Sequence, residues 1–206
     1  AALSTFAATS TASAQLITSV GSLNSPNNTL TFFGLNNTNV SNGYTAVIGG
    51  ANNITMSYTG NDGLYFDYCT WGLKGNGTSC RPSVGINQAG ILRFTFGNGL
   101  IAGVGVSMNY APSSPVYIRA RNAANTVLAQ YEMNADAPIS SSAFQFRGIQ
   151  LAGNTIASFE LQGTGDASAI LENLSYTTST VPEPSTVALF AVGFVALAGF
   201  ARRRAR

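Results

Sequence analysis

The sequence predicts an all-β chain: one antiparallel β-sandwich ectodomain followed by a single C-terminal transmembrane helix. Three observations predict it. Apolar residues up to position 176 recur with period two, Gly, Pro, Asn and Asp clusters interrupt them at short intervals, and an uncharged run precedes a basic tail.

Residues 1–14 are rich in Ala, Ser and Thr and end in Ala12-Ser13-Ala14. That small-x-small step reads as the end of a signal peptide; a disordered polar N-terminus is the alternative. The sandwich is expected over 15–176. Short strands are expected at 30–33, 44–48, 54–58 and 64–68. Phe94 and Phe96 then alternate with Arg93 and Thr95, and Val104, Val106 and Met108 with Gly103, Gly105 and Ser107. Val116, Ile118 and Ala120 oppose Tyr117, Arg119 and Arg121, and Val127, Ala129, Tyr131 and Met133 oppose Leu128, Gln130 and Glu132. Phe144 and Phe146 continue the rule, and strands follow at 155–162 and 168–176. Asn42-Gly43, Asp62-Gly63, Ala111-Pro112 and Ala137-Pro138 mark turns. With no clear amphipathic helix, about ten or more strands in one stretch of this length argue for a single sandwich.

Residues 177–184 read as a linker, 185–201 as the transmembrane helix and 202–206 as a cytoplasmic tail. The 17 uncharged residues of 185–201 rise roughly 25 Å as a helix, just enough for a thin bilayer. Arg202, Arg203, Arg204 and Arg206 hold the tail on the cytoplasmic side and leave the sandwich on the far side. Pro182 and Pro184 fix their own φ and push Val181 and Glu183 toward extended backbone, so this segment cannot join the helix behind it.

The order Val181-Pro182-Glu183-Pro184, short apolar helix, arginine cluster resembles the PEP-CTERM sorting signal of Gram-negative bacteria. The resemblance implies processing by an exosortase at or near 182–184. It also implies an inner-membrane-anchored precursor and final residence at the cell surface or in the extracellular matrix, with exopolysaccharide as an associated partner. An uncut membrane anchor is the alternative reading of the same tail. Residues 100–176 also resemble the jelly-roll ectodomain of many PEP-CTERM proteins, carried by Gly103-Val104-Gly105-Val106, Phe144 to Ile149 and Ala169 to Tyr176. In those ectodomains the last strand often carries an Ile-Asp-Asn-like step; Leu171-Glu172-Asn173 stands here instead.

Charged residues make up only 9% of the chain and histidine is absent. Between 15 and 181 six Lys/Arg face seven acids. So neutral a cargo lacks the basic surface that phosphate-backbone binding requires, which argues against a nucleic-acid partner. Cys69 and Cys80 enclose a Gly-rich loop, expected to be closed by a disulfide in an oxidising compartment. Zinc is the weaker alternative, since it normally takes four Cys/His ligands.

Without histidine there is no Ser-His-Asp triad and no Cys-His pair, and no metal or cofactor is called for. The chain is therefore read as non-enzymatic, with Glu132, Glu160 and Glu172 as the carboxylates to test for glycoside chemistry. Trp71, Tyr65 and Tyr68 are candidates for a sugar-stacking platform, although Tyr65 and Tyr68 also suit ordinary strand positions and Trp71 a cover for the cysteine loop. Asn61-Asp62-Gly63 with Asp67 offers oxygen ligands for calcium, and a plain Asp-Gly turn explains the same residues. The function expected is a structural or adhesive role at the envelope or in its polysaccharide matrix. A carbohydrate-binding module is the alternative and a polysaccharide-active enzyme the distant one.

Overall fold

The fold is seen in a computed structural model that describes residues 14–23, 27–32, 39–40, 42–60, 64–67, 83–87, 89–110, 115–139, 144–153, 155–165 and 168–177. Among them the strands are β1 (Gln15–Ile17), β2 (Asn27–Thr31), β3 (Asn39–Val40), β4 (Thr45–Ile48), β5 (Ile54–Gly60), β6 (Leu64–Asp67) and β7 (Ser83–Asn87). β8 (Gly90–Phe96), β9 (Gly103–Tyr110), β10 (Val116–Arg121) and β11 (Val127–Glu132) follow, and a single helical turn, α1 (Met133–Asp136), leads on to β12 (Gln145–Gln150), β13 (Ser158–Gly163) and β14 (Ser168–Thr177).

These form two antiparallel sheets, so the expected all-β sandwich is present. Sheet A runs β1-β12-β9-β14-β7-β6-β3, with β2 also on β14; sheet B runs β11-β10-β13-β8-β5-β4. From β7 onward successive strands cross from one sheet to the other, except for the β10–β11 hairpin within sheet B. Segments of the N-terminal half join the same two sheets, β4–β5 on β8 and β6 on β7.

The alternation read from sequence produces the core. Met56, Leu92, Phe94, Ile118 and Phe159 of sheet B and Val84, Val104, Val106, Met108 and Leu171 of sheet A are buried in one cluster. Phe32 meets Phe94 at 6.0 Å and Phe96 meets Tyr176 at 5.3 Å between centroids, both tilted, so aromatic contacts tie the sheets together. The Asn42-Gly43 turn forms as expected. Gly43 takes φ +86°, in the left-handed region that favours glycine, and Asn42 Oδ1 accepts from the Gly60 amide.

β12 departs from the simple pattern. Phe146 turns outward and is half-buried, whereas Arg147 and Ile149 are buried on the inner side with Val106 and Val104. Arg147 sits inside because its guanidinium finds carbonyls. Nε and Nη2 donate to Ala137 O at 3.1 and 3.0 Å, Nη1 to Phe146 O at 2.8 Å and Nη2 to Gln145 Oε1 at 2.8 Å. Tyr110 Oη reaches Ala137 O as well, and Met133 O at 3.1 Å. α1 and the Ala137-Pro138 break, which the sequence offered only as a turn, therefore present the carbonyls that a buried cation needs.

Phe146 faces outward because glycine makes room for it. A Cβ on Gly105 would lie 2.8 Å from both Arg147 O and Gly148 Cα and collide with the Phe146 ring, while one on Gly103 would lie 2.9 Å from Leu23 Cδ2. Ile17 and Leu23, both buried, pack on the same outer surface against Gly148 and Gly103. Close packing thus accounts for the Gly103-Val104-Gly105-Val106 repeat.

On β14, Leu171 pairs with Met108 and Asn173 with Ser107, so Glu172 is the extra residue of a β-bulge. The bulge lets Leu171 and Leu174, three positions apart, both point inward, and Asn173 Oδ1 accepts from the Ser107 amide at 3.3 Å.

Gly105→Ala should destabilise the fold by about 1–3 kcal/mol through overpacking against backbone that cannot yield, read as a lowered urea midpoint with unchanged slope. Burial raises the Tyr110 and Tyr176 phenols above their ordinary 10.0. The folded chain therefore keeps protons that the unfolded chain releases. Stability should hold below pH 10 and fall as pH rises from the unfolded toward the folded pKa, checked by thermal melts between pH 8 and 12.

Candidate functional site

The outer face of sheet B carries the chain's densest grouping of charge among the described residues. Strand pairing lines up Thr45, Ser57, Arg93, Glu160, Arg119 and Gln130 as one polar rung crossing all six strands. Each lies opposite the apolar phase of its strand, so this rung follows from the same alternation that fills the core.

Glu160, at 0% exposure, is the centre. Arg93 Nε donates to its Oε1 at 2.7 Å and Arg93 Nη2 contacts the same oxygen. Arg121 Nε lies 2.8 Å and Arg119 Nη1 3.9 Å from Oε2. A buried carboxylate is tolerated only when its charge is compensated, and here three guanidiniums roof it. The roof remains open to solvent, with side-chain exposures of 34% for Arg93, 16% for Arg119 and 18% for Arg121.

The surroundings hold each arginine in place. Arg119 Nε donates to Gln130 Oε1, its guanidinium lies 5.6 Å from the Tyr117 ring centroid, and Arg121 Nη1 donates to Asn125 O at 2.8 Å. Asn125, at φ +63°, supplies that carbonyl from the β10–β11 turn. Burial lowers the Arg119 pKa first, with the neighbouring Glu160 acting in the opposite sense. The guanidinium remains a cation at neutral pH but is incompletely solvated.

The three carboxylates singled out for glycoside chemistry do not converge. Glu132 accepts from Tyr117 Oη at 3.2 Å at the β11 edge, Glu160 is held beneath the arginines, and Glu172 stands on the bulge of β14 in the other sheet. Tyr65 lies on β6 opposite Gly85, while Tyr68, Trp71, Cys69, Cys80 and Asn61 to Gly63 lie outside the described residues. Val181 to Pro184, the expected helix at 185–201 and the terminal arginines also lie outside them; among the described residues no helix is long and apolar enough to cross a membrane. A recess of about 80 Å³ lies where the sheets meet, lined by Asn52, Phe96, Asn98, Leu100 and Tyr176 among others.

Sequence reasoning noted these arginines only as outward-facing strand residues. Their convergence depends on the β8–β13–β10 order, which brings residues 67 positions apart, Arg93 and Glu160, side by side.

Residues 180–205 match the family model of the PEP-CTERM protein-sorting motif. The chain carries a PEP-CTERM sorting signal. The match takes in Val181 to Pro184, the apolar run and Arg202 to Arg204, on which the resemblance rested; Arg206 lies just beyond it. It marks an exported protein directed to an exosortase. No curated protein matches the chain. Solved structures similar to parts of this chain include the lectin binding domain of lectinolysin, as a His 62 mutant complexed with Lewis b (11% identity, 47% of this chain, 72% of that one, TM-score 0.33). The K2 cleaved adhesin domain of Lys-gingipain is another (14% identity, 76% and 100% coverage, TM-score 0.38). A third is the enzymatically active domain of bacteriophage CBA120 tailspike protein 4 (14% identity, 61% of this chain, 19% of that one, TM-score 0.35).

Glu160→Gln keeps the shape but leaves three guanidiniums without their shared charge. It should lower stability by on the order of 3 kcal/mol, measured by urea unfolding.

Proposed function

We propose that this protein is a non-catalytic structural or adhesive component of a bacterial envelope and its extracellular polysaccharide matrix, delivered as a membrane-anchored precursor and released by exosortase cleavage near 182–184. The observation that carries the reading is the sorting motif at 180–205. On this reading residues 185–201 form a transient transmembrane helix, the terminal arginines its cytoplasmic stop, and Cys69–Cys80 a disulfide formed after export.

The position of the motif supports the proposal. β14 ends at Thr177, before the match begins at 180, so cleavage in the proline segment removes nothing from either sheet. The winding of β7 to β14, with β7-β14-β9-β12 in one sheet and β8-β13-β10-β11 in the other, supports a jelly roll as the carried domain. Such a scaffold presents broad sheet faces, which suits lateral contact with a polymer. The separation of Glu132, Glu160 and Glu172 over two sheets supports a binding role over glycoside hydrolysis.

Cell fractionation with mass spectrometry of the C-terminus tests the reading. The native protein should be recovered from the surface or matrix fraction without residues 202–206, and Pro182→Ala/Pro184→Ala should accumulate in the membrane fraction with the arginines intact. Recovery of the native protein from cytosol, or from the matrix with its terminal arginines in place, would sink it.

A further inference from the structure

We infer that the outer face of sheet B is a docking surface for an acidic, carboxylate-bearing polysaccharide whose chain lies across the strands along the rung from Thr45 to Gln130. The inference deepens the matrix role proposed above and rests on it.

Charge complementarity selects the ligand. Arg93, Arg119 and Arg121 converge on one carboxylate, leaving two positive charges in excess at the centre of the face, although acids slightly outnumber bases over 15–181 as a whole. Glu132 and Asp136 lie away from that centre, at the β11 edge, where Glu132 accepts from Tyr117 Oη and Asp136 Oδ2 from the Glu132 amide. A guanidinium has five N–H donors, and Glu160 cannot engage them all. Arg93 Nη1 and Arg119 Nη2 have no partner among the described residues and belong to side chains that reach solvent. Arg119, desolvated by burial, gains from any further anion set beside it.

Geometry selects a polymer. Arg93 and Arg119 flank β13, so their backbones stand about 10 Å apart, two strand spacings. An extended polyuronate chain in a two-fold conformation turns every second carboxylate to the same side at comparable spacing. Six strands make the face about 24 Å across, room for several sugars. Thr45, Ser57 and Gln130 at the ends of the rung offer hydroxyls and an amide to sugar hydroxyls. Two excess charges are too few for a polyphosphate, whose dense charge calls for a broad basic surface. The opposite face carries no arginine cluster among the described residues: Ser107, Asn173 and Thr31 lie abreast there as neutral groups, and Ile17, Leu23 and Phe146 pack on its glycines.

Isothermal titration of the full chain in a non-ionic detergent, with polygalacturonate and with neutral dextran as probes, tests the inference. Saturable binding to polygalacturonate, absence of binding to dextran and weakening as salt rises are expected. Arg93→Gln/Arg119→Gln should weaken binding about tenfold or more. Thr95→Glu, on an exposed residue outside the ion cluster, should do the same with an unchanged melting temperature, so a folding defect in the double variant leaves the test intact. Equal binding to dextran, no binding, or polygalacturonate binding indifferent to both variants overturns the inference. So does a concentration-dependent dimer in sedimentation that Thr95→Glu dissolves, which assigns the face to a second copy. Fractionation separates the two levels: a processed matrix protein that ignores polygalacturonate loses only this ligand, whereas a cytosolic protein loses the matrix role first.

Discussion

A carboxylate with no exposure to water must be neutralised where it stands, and Glu160 imposes that condition on the middle of sheet B. Arg93 and Arg119 are its direct cross-strand partners on either side, and Arg121 reaches it diagonally from its place opposite Ser158. The condition holds in one register only. Sliding β13 by a single residue would turn Glu160 toward Leu92 and Ile118 and send Phe159 and Leu161 into solvent. Ion cluster and apolar core therefore demand the same alignment of β8, β13 and β10, and each removes alternatives that the other would leave.

Sheet A meets a different constraint, because both of its surfaces are packed along β9. Val104, Val106 and Met108 face the core, while Gly103 and Gly105 admit Leu23 and the Phe146 ring on the other side. β14 accommodates this with its bulge at Glu172: one extra residue restores Leu174 and Tyr176 to the inner phase after Leu171. The two outer faces end up unlike, one covered over β9 and β12 by Ile17, Leu23 and Phe146 and the other open with an arginine–glutamate cluster at its centre. That asymmetry gives the molecule a side on which a hydrated polymer can lie.

Much of the fold was legible because period-two alternation is a property of single strands. Val116, Ile118 and Ala120 are buried and Tyr117, Arg119 and Arg121 are turned outward, as their spacing predicts. The pattern misled at β12, where two phenylalanines suggested an inward phase that Arg147 and Ile149 take. Nothing local reveals that inversion, since it needs Gly105 across the sheet to receive Phe146 and the carbonyl of Ala137 to receive Arg147. The short strands at 15–17, 39–40 and 83–87 were missed because two to five residues, with little alternation of their own, owe their pairing to β12, β6 and β14. The arginine–glutamate cluster lay hidden for a related reason. Each member was visible as an outward residue, but only the strand order makes them neighbours. The sorting signal was fully legible, because it is read as contiguous residues and needs no partner strand.

The place of the C-terminal strand links the fold to the proposed delivery. Over its ten residues β14 has β9 on one side and shares the other between β7, at 168–171, and β2, at 173–177. The segment that an exosortase would cut leaves directly from this strand, so any attachment made there would pull on β14 along its own axis. Ladder hydrogen bonds in antiparallel pairs run perpendicular to the strands. Such a pull loads the bonds on both edges together in shear instead of opening them one by one. A terminal strand at the edge of the sheet would peel; one held between neighbours and anchored by Leu171, Leu174 and Tyr176 in the core resists. The same burial explains why the signal must follow a polar linker: a motif any closer to Thr177, itself buried and bonded to the Gly103 amide at 2.9 Å, would be out of reach of an enzyme cleft.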